Sequence, residues 1–89
     1  MKDLNRCYLY ITECADGTYY TGISNNINRR LDEHNSGRGA WYTDEHGPVD
    51  LIYFEEYPNR SEAFKRELEV KKLTHNQKKA LVDNFFPVE

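Results

Sequence analysis

Hydrophobic positions run together from Cys7 to Ile11, and both Cys7–Glu13 (CYLYITE) and Thr18–Ile23 (TYYTGI) are rich in aromatic and β-branched residues. Such content on either side of the turn signal Ala15-Asp16-Gly17 predicts two strands. Val49–Tyr57 (VDLIYFEEY) predicts a third strand. The pattern switches to a helical period in Ile27–His34 (INRRLDEH), with Ser24, Asn25 or Asn26 available as N-cap. Asn59 with Glu62 resembles a capping box and opens a helix to about Leu73; Thr74 with Gln77 repeats the signature and opens a last helix to about Val82. Asn35–Pro48 holds three glycines and reads as a loop. The order ββαβαα predicts an α/β fold of the α+β kind, a three-stranded, mostly antiparallel sheet flanked by helices.

The first hairpin admits a sharper reading. A two-residue loop, Asp16-Gly17, puts Tyr10 and Tyr20 on opposite faces of the sheet. A three-residue loop, Ala15-Asp16-Gly17, pairs residue 14 with 18, 12 with 20 and 10 with 22, and turns both phenols to one face. Three-residue hairpins commonly end in a left-handed residue, usually glycine, and Gly17 stands there. The longer loop is therefore expected. Gly22, opposite Tyr10, is expected to leave open space beside the ring.

At about 100° per residue, Ile27, Leu31 and His34 form the inward stripe of the first helix, with Arg30 inside it and Arg29, Asp32 and Glu33 outside. In the next helix Ala63, Phe64, Glu67 and Val70 face inward while Glu62 and Glu69 face away. A buried guanidinium needs an acceptor, and a carboxylate in an apolar stripe must be paired, protonated or metal-bound. The bland alternatives are a structural salt bridge for Arg30 and an i,i+4 bridge from Glu67 to Lys71. Together, Tyr10, Tyr20, Arg30 and Glu67 converge on one sheet from four elements. Such a set suits phosphoryl transfer. A lone carboxylate can hold Mg²⁺, which keeps most of its waters. The metal is a Lewis acid, the arginine stabilises developing charge, and a phenol can orient the attacking water.

Composition narrows this picture. The 89 residues fit one domain over 1–89, with a core of about 6–82. No apolar run approaches the roughly 20 residues that span a bilayer, so no membrane partner is expected. The first residues, MKDLNR, lack a secretory signal, which makes cytoplasm the default. Cys7 and Cys14 are an odd number apart in one strand, so they face opposite ways and are expected as separate buried thiols. The net charge of −3 weighs against strong, unspecific nucleic-acid binding. The charge is uneven, however. Arg60, Lys65, Arg66, Lys71, Lys72, Lys78 and Lys79 crowd the last helices, while Asp44, Glu45, Asp50, Glu55 and Glu56 make residues 37–59 acidic. Monomer is the default oligomeric state.

At these residues the sequence resembles the GIY-YIG nuclease domain, over about Arg6 to Val82. Tyr8-Leu9-Tyr10 matches the first tripeptide of the family name and Tyr20-Thr21-Gly22 the second. Arg29-Arg30-Leu31 matches the helix of the family arginine, His34 a position held by histidine or tyrosine, and Ala63-Phe64-Lys65-Arg66-Glu67 the segment ending in the family glutamate. The short stand-alone bacterial (YhbQ-like) members share His34-Asn35, Gly37-x-Gly39-Ala40, Tyr42-Thr43, Pro48-Val49 and Lys71-Lys72-Leu73. The resemblance implies hydrolysis of one DNA strand with a single divalent ion, Mg²⁺ or Mn²⁺, held by Glu67. It implies Tyr10 as general base or its partner, Tyr20 as a positioning group, Arg30 as stabiliser of the transition state and His34 as an alternative base. His34 equally fits core packing.

Two departures stand out. Tyr8 replaces the first glycine, and Thr43-Asp44-Glu45-His46-Gly47 is acidic where many look-alikes are basic. The candidates for contact with nucleic acid are Arg29, Arg38, Trp41, Tyr42, Lys71 and Lys72. Trp41 and Tyr42 fit either stacking on an unpaired base or pinning the loop to the core, and buried area favours the second. The expected function is a metal-dependent DNA endonuclease acting on branched, nicked, single-stranded or damaged DNA in repair or recombination. The alternative is a non-catalytic nucleic-acid-binding or protein-docking module on the same fold.

Overall fold

In the computed structural model, residues 6–35 and 49–85 are described. They form β1 (Cys7–Cys14), β2 (Tyr19–Ser24), α1 (Ile27–Asn35), β3 (Val49–Tyr57), α2 (Arg60–Lys71) and α3 (His75–Asp83). The sheet runs β2-β1-β3 with both neighbouring pairs antiparallel. This is the expected ββαβαα, α+β arrangement. No helix among the described residues is long and apolar enough to cross a membrane.

β1 lies in the middle because its sequence can be buried on both faces. Leu9, Ile11 and Thr12 are wholly buried, and Cys7 and Cys14 are buried free thiols. The hairpin to β2 closes as expected. Gly17 donates its N–H to the Cys14 carbonyl at 2.9 Å, and Cys14 donates to the Thr18 carbonyl at 2.8 Å. Gly17 has φ +87°, a left-handed conformation that costs an L side chain strain. Asp16 steadies the turn by accepting from Thr18 N–H at 3.1 Å and from its hydroxyl at 2.6 Å. The resulting register sets Tyr10 opposite Gly22 and Thr12 opposite Tyr20. By the two-residue period, Tyr8, Tyr10, Tyr20 and Gly22 share one face, and Leu9, Ile11, Thr21 and Ile23 share the other.

β3 pairs with β1 through a bulge. Ile11 faces Tyr53 but Thr12 faces Leu51, which leaves Ile52 as the extra residue. Leu9, Ile11, Tyr53 and Val70 form the core cluster, with Leu73, Leu81, Val82 and Phe85 packed against it. Hence α2 and α3 cover the Leu9/Ile11 face, opposite the phenols. Full burial of Val70 alone is worth about 1.5–3 kcal/mol.

A polar clamp fixes how α2 sits. Arg66 grips Glu55 of β3 with two bonds, Nε to Oε1 at 3.0 Å and its terminal nitrogen to Oε2 at 3.2 Å. Tyr53 and Tyr57 donate their hydroxyls to the same carboxylate. Burial would raise the Glu55 pKa, but the bonds from Arg66, Tyr53 and Tyr57 outweigh it and hold the group below the ordinary range. The helix starts are capped. Thr74 and Gln77 form the full box, Gln77 N–H to Thr74 Oγ1 at 3.2 Å and Thr74 N–H to Gln77 Oε1 at 2.9 Å. The Asn59 cap is one-sided: Asn59 Oδ1 accepts from Glu62 N–H at 2.9 Å, while the Glu62 carboxylate turns to Lys65 at 3.4 Å.

One helical assignment is corrected. Phe64 does not face the sheet but is 50% exposed. Ala63, Glu67 and Val70 are buried. Their i, i+4, i+7 row is the whole inward stripe, too narrow to include the flank on which Phe64 stands.

Because Gly17 is the described residue with positive φ, Gly17→Ala is expected to destabilise the domain by about 1–2 kcal/mol. Urea unfolding measures this, and an unchanged midpoint would contradict the turn geometry.

Candidate active site

The path from β2 to α1 delivers Arg30. Ser24 Oγ accepts from Asn26 N–H at 3.0 Å and bonds back to the Asn26 carbonyl at 3.0 Å. Asn26 is the N-cap among the three candidates: its Oδ1 accepts from Arg29 N–H at 3.0 Å, and its carbonyl accepts from Arg30 N–H at 3.1 Å. Helix α1 thus begins directly after the strand that carries Tyr20 and Gly22. Arg30 is half-buried; it donates to Glu33 Oε1 at 3.0 Å and is close enough to the Tyr10 phenol for the two groups to shift each other's ionisation.

Tyr10 is almost wholly buried, at 1% exposure. Its ring lies across Gly22: a Cβ at residue 22 would fall 2.7 Å from Tyr10 Oη and 2.9 Å from Cζ. The space opposite Tyr10 is therefore filled by its own ring, not left open as the sequence suggested. Tyr20 stands beside it with ring centroids 6.4 Å apart.

The electrostatics tie the group together. Burial pushes the Tyr10 phenol up to about 12; the nearby Tyr20 and Glu67 act in the same direction, and Arg30 opposes them by hydrogen bond and charge. Burial works against the Arg30 cation, but its bonds to Glu33 and Tyr10 more than offset that and raise its pKa. Glu33 corrects the helix reading. It was expected outside the inward stripe, yet it is half-buried against Arg30. Opposite charges at i,i+3 meet on one helix side, and that spacing was the missed signal.

Glu67 comes from the other layer. It is buried at 9% exposure, and its Oε2 pairs with the exposed ammonium of Lys71 at 3.2 Å. Although α2 covers the face opposite the phenols, the Glu67 charge is close enough to act on Tyr10. Among the described residues no cluster of three or more His, Cys, Asp or Glu could cage a metal. A buried carboxylate whose partner is a single solvent-exposed cation does fit an ion that retains most of its water shell.

The remaining candidates are scattered. Arg29 is exposed and donates to Asn25 Oδ1 at 3.1 Å. Lys72 is exposed at the C-cap of α2. The side chain of His34, and all of Arg38, Trp41 and Tyr42, lie outside the described residues. A cleft of about 250 Å³ runs beside Arg30, lined by Ser24, Asn25, Arg29, Glu33 and Arg60 among others. Arg60 was not singled out from sequence, since only the tertiary fold brings α2 beside α1.

The GIY-YIG catalytic domain model matches residues 6–80. A UPF0213 protein of Clostridium perfringens is 49% identical over 77 residues, covering 86% of this chain and 83% of that protein. A UPF0213 protein of Halobacterium salinarum is 47% identical over 74 residues, covering 83% and 96%. The solution NMR structure of a UPF0213 protein from Bacillus halodurans is similar at TM-score 0.57 and 42% identity, covering 88% of this chain and 83% of that one. A solution NMR structure of an E. faecalis protein is similar at TM-score 0.60 and 39% identity, over 100% and 99% of the two chains.

The geometry predicts opposite titration shifts for Tyr10. Arg30→Ala removes the group that favours the phenolate and should move the phenol further above its value of about 12. Glu67→Gln removes a repelling charge and should lower it. Tyrosine ring ¹³C shifts followed against pH read both, and shifts of the same sign would contradict the arrangement.

Proposed function

The chain belongs to the GIY-YIG catalytic domain family, and from that premise we propose that it is a DNA endonuclease that hydrolyses a phosphodiester bond with one divalent ion, Mg²⁺ or Mn²⁺. GIY-YIG proteins are generally metal-dependent nucleases acting on DNA. The observation that carries the proposal for this chain is the approach of Arg30 to Tyr10, with the Tyr20 ring beside Tyr10 and the Glu67 charge acting on Tyr10.

Each side chain has a role that its surroundings support. Glu67, paired with a solvent-exposed lysine, is the carboxylate that would hold the ion. The bound ion supplies Lewis-acid polarisation of the phosphate. Arg30, always charged, neutralises negative charge that develops on the phosphoryl oxygens, and Glu33 fixes the direction of its guanidinium. Tyr10 is a poor proton acceptor: with a pKa of about 12, only roughly 10⁻⁵ of it is ionised at pH 7. Its fitting role is that of a hydrogen-bonding partner that orients the phosphate or the attacking water. Tyr20 positions the same group. The proton of the attacking water then goes to another acceptor, and His34 in the sequence of α1 is the proposed base. Branched, nicked, flapped or single-stranded DNA, as met in repair or recombination, is the proposed substrate class.

The test is cleavage of such substrates by the purified chain with Mg²⁺ or Mn²⁺. Arg30→Ala should lower kcat by about 10²–10³, as for loss of one preorganised charge stabiliser. Glu67→Ala should abolish cleavage. Cutting that persists undiminished in Glu67→Ala would end the assignment.

A further inference from the structure

We propose that Arg29 and Arg60 form a second anion seat beside Arg30, which grips a backbone phosphate next to the one that is cut. The proposal rests on the phosphodiester reading above and adds where the strand continues beyond the scissile bond.

The cleft of about 250 Å³ next to Arg30 is lined by three arginines, Arg29, Arg30 and Arg60, and by one acidic residue, Glu33. That concentration of positive charge occurs in a chain whose formal net charge is −3. Glu33 is engaged by Arg30 at 3.0 Å. Arg29 rests on the neutral amide oxygen of Asn25 at 3.1 Å, which orients the guanidinium without cancelling its charge. Arg60 is exposed, and no ion pair or hydrogen bond to its side chain occurs among the described residues.

This placement costs stability. Like charges repel across the cleft, and both arginines stand in the first turn of their helices, where a cation opposes the backbone dipole. Neither position serves the core. Such a conflict between local preference and position is the mark of a functional constraint. An anion entering the cleft would relieve it, and arginine forks suit phosphate oxygens in particular. A strand whose scissile phosphate meets Arg30 carries another phosphate one nucleotide away. Asn25 and Ser24 line the same cleft and add neutral donors for its oxygens or sugar.

The experiment compares wild type, Arg60→Ala, Arg29→Ala, the double variant and Arg60→Lys. It uses a fluorescent flapped or single-stranded oligonucleotide, with anisotropy for binding and gel assay for cleavage, over a range of salt. Loss of one phosphate contact should raise KM and Kd several-fold, leave kcat within about twofold, and reduce the slope of log K against log salt by about 0.7–0.9. Arg60→Lys should recover part of the affinity because it keeps the charge. If the double variant keeps the wild-type KM and salt slope while Glu67→Ala abolishes cleavage, the second seat is refuted and the nuclease reading stands. A fall in kcat with KM unmoved would also refute it. If wild type cuts nothing but its binding weakens in Arg60→Ala with the reduced salt slope, the arginines still form a phosphate seat, but the nuclease reading, and with it the placement beside a scissile bond, falls. Amide spectra matching wild type confirm that these surface variants are folded.

Discussion

The register of the β1–β2 hairpin is the constraint on which the rest of this molecule depends. Gly17 takes a left-handed conformation, the turn spans Ala15-Asp16-Gly17, and Tyr10 is brought opposite Gly22 with Tyr20 on the same face. A slip of one residue would send every β2 side chain to the other face of the sheet. Tyr10 would then lose the bare backbone over which its ring lies, and Arg30 would reach a phenol without its neighbour. Asp16 holds the turn with two bonds to Thr18, so a local device of four residues governs a contact between distant elements.

Around that hairpin the two helical layers divide the work. On the phenol side, the Ser24–Asn26 cap starts α1 at once and leaves little freedom in where Arg30 points. On the opposite side, α2 is anchored by Val70 in the core and by the Arg66–Glu55 clamp. Arg66 and Glu67 are adjacent, so the clamp sets the rotation of α2 and with it the direction of the Glu67 carboxylate. A half-buried ion pair such as this one adds little net stability, but its two-bond geometry is specific about direction. Here that specificity falls next to the residue whose position the chemistry needs.

Much of this was legible in the residues. The strands followed from their aromatic and β-branched content, the helices from their period, the capping of α3 from Thr74 and Gln77, and the shared face of the phenols from the position of Gly17. What escaped was set by tertiary structure or by finer helix geometry. Phe64 lies on the border of the α2 stripe, and periodicity cannot say how wide a face the sheet will cover. Glu33 was assigned outward from the helix angle, yet a long carboxylate reaches back to a charge at i−3. The Glu55–Arg66 pair and the approach of Arg60 to α1 join separate elements, and no local pattern announces them. The placement of the Glu67 carrier behind the sheet was likewise invisible, since a stripe shows that a helix packs but not on which face.

The contact between Tyr10 and Gly22 carries a consequence for how such sequences drift. The glycine at this position is required by volume alone, because its backbone is ordinary strand and only the ring forbids a methyl group. Positions 10 and 22 therefore cannot vary independently. A side chain gained at one demands atoms lost at the other, and the pair should change together or remain as they are across descendants of this fold.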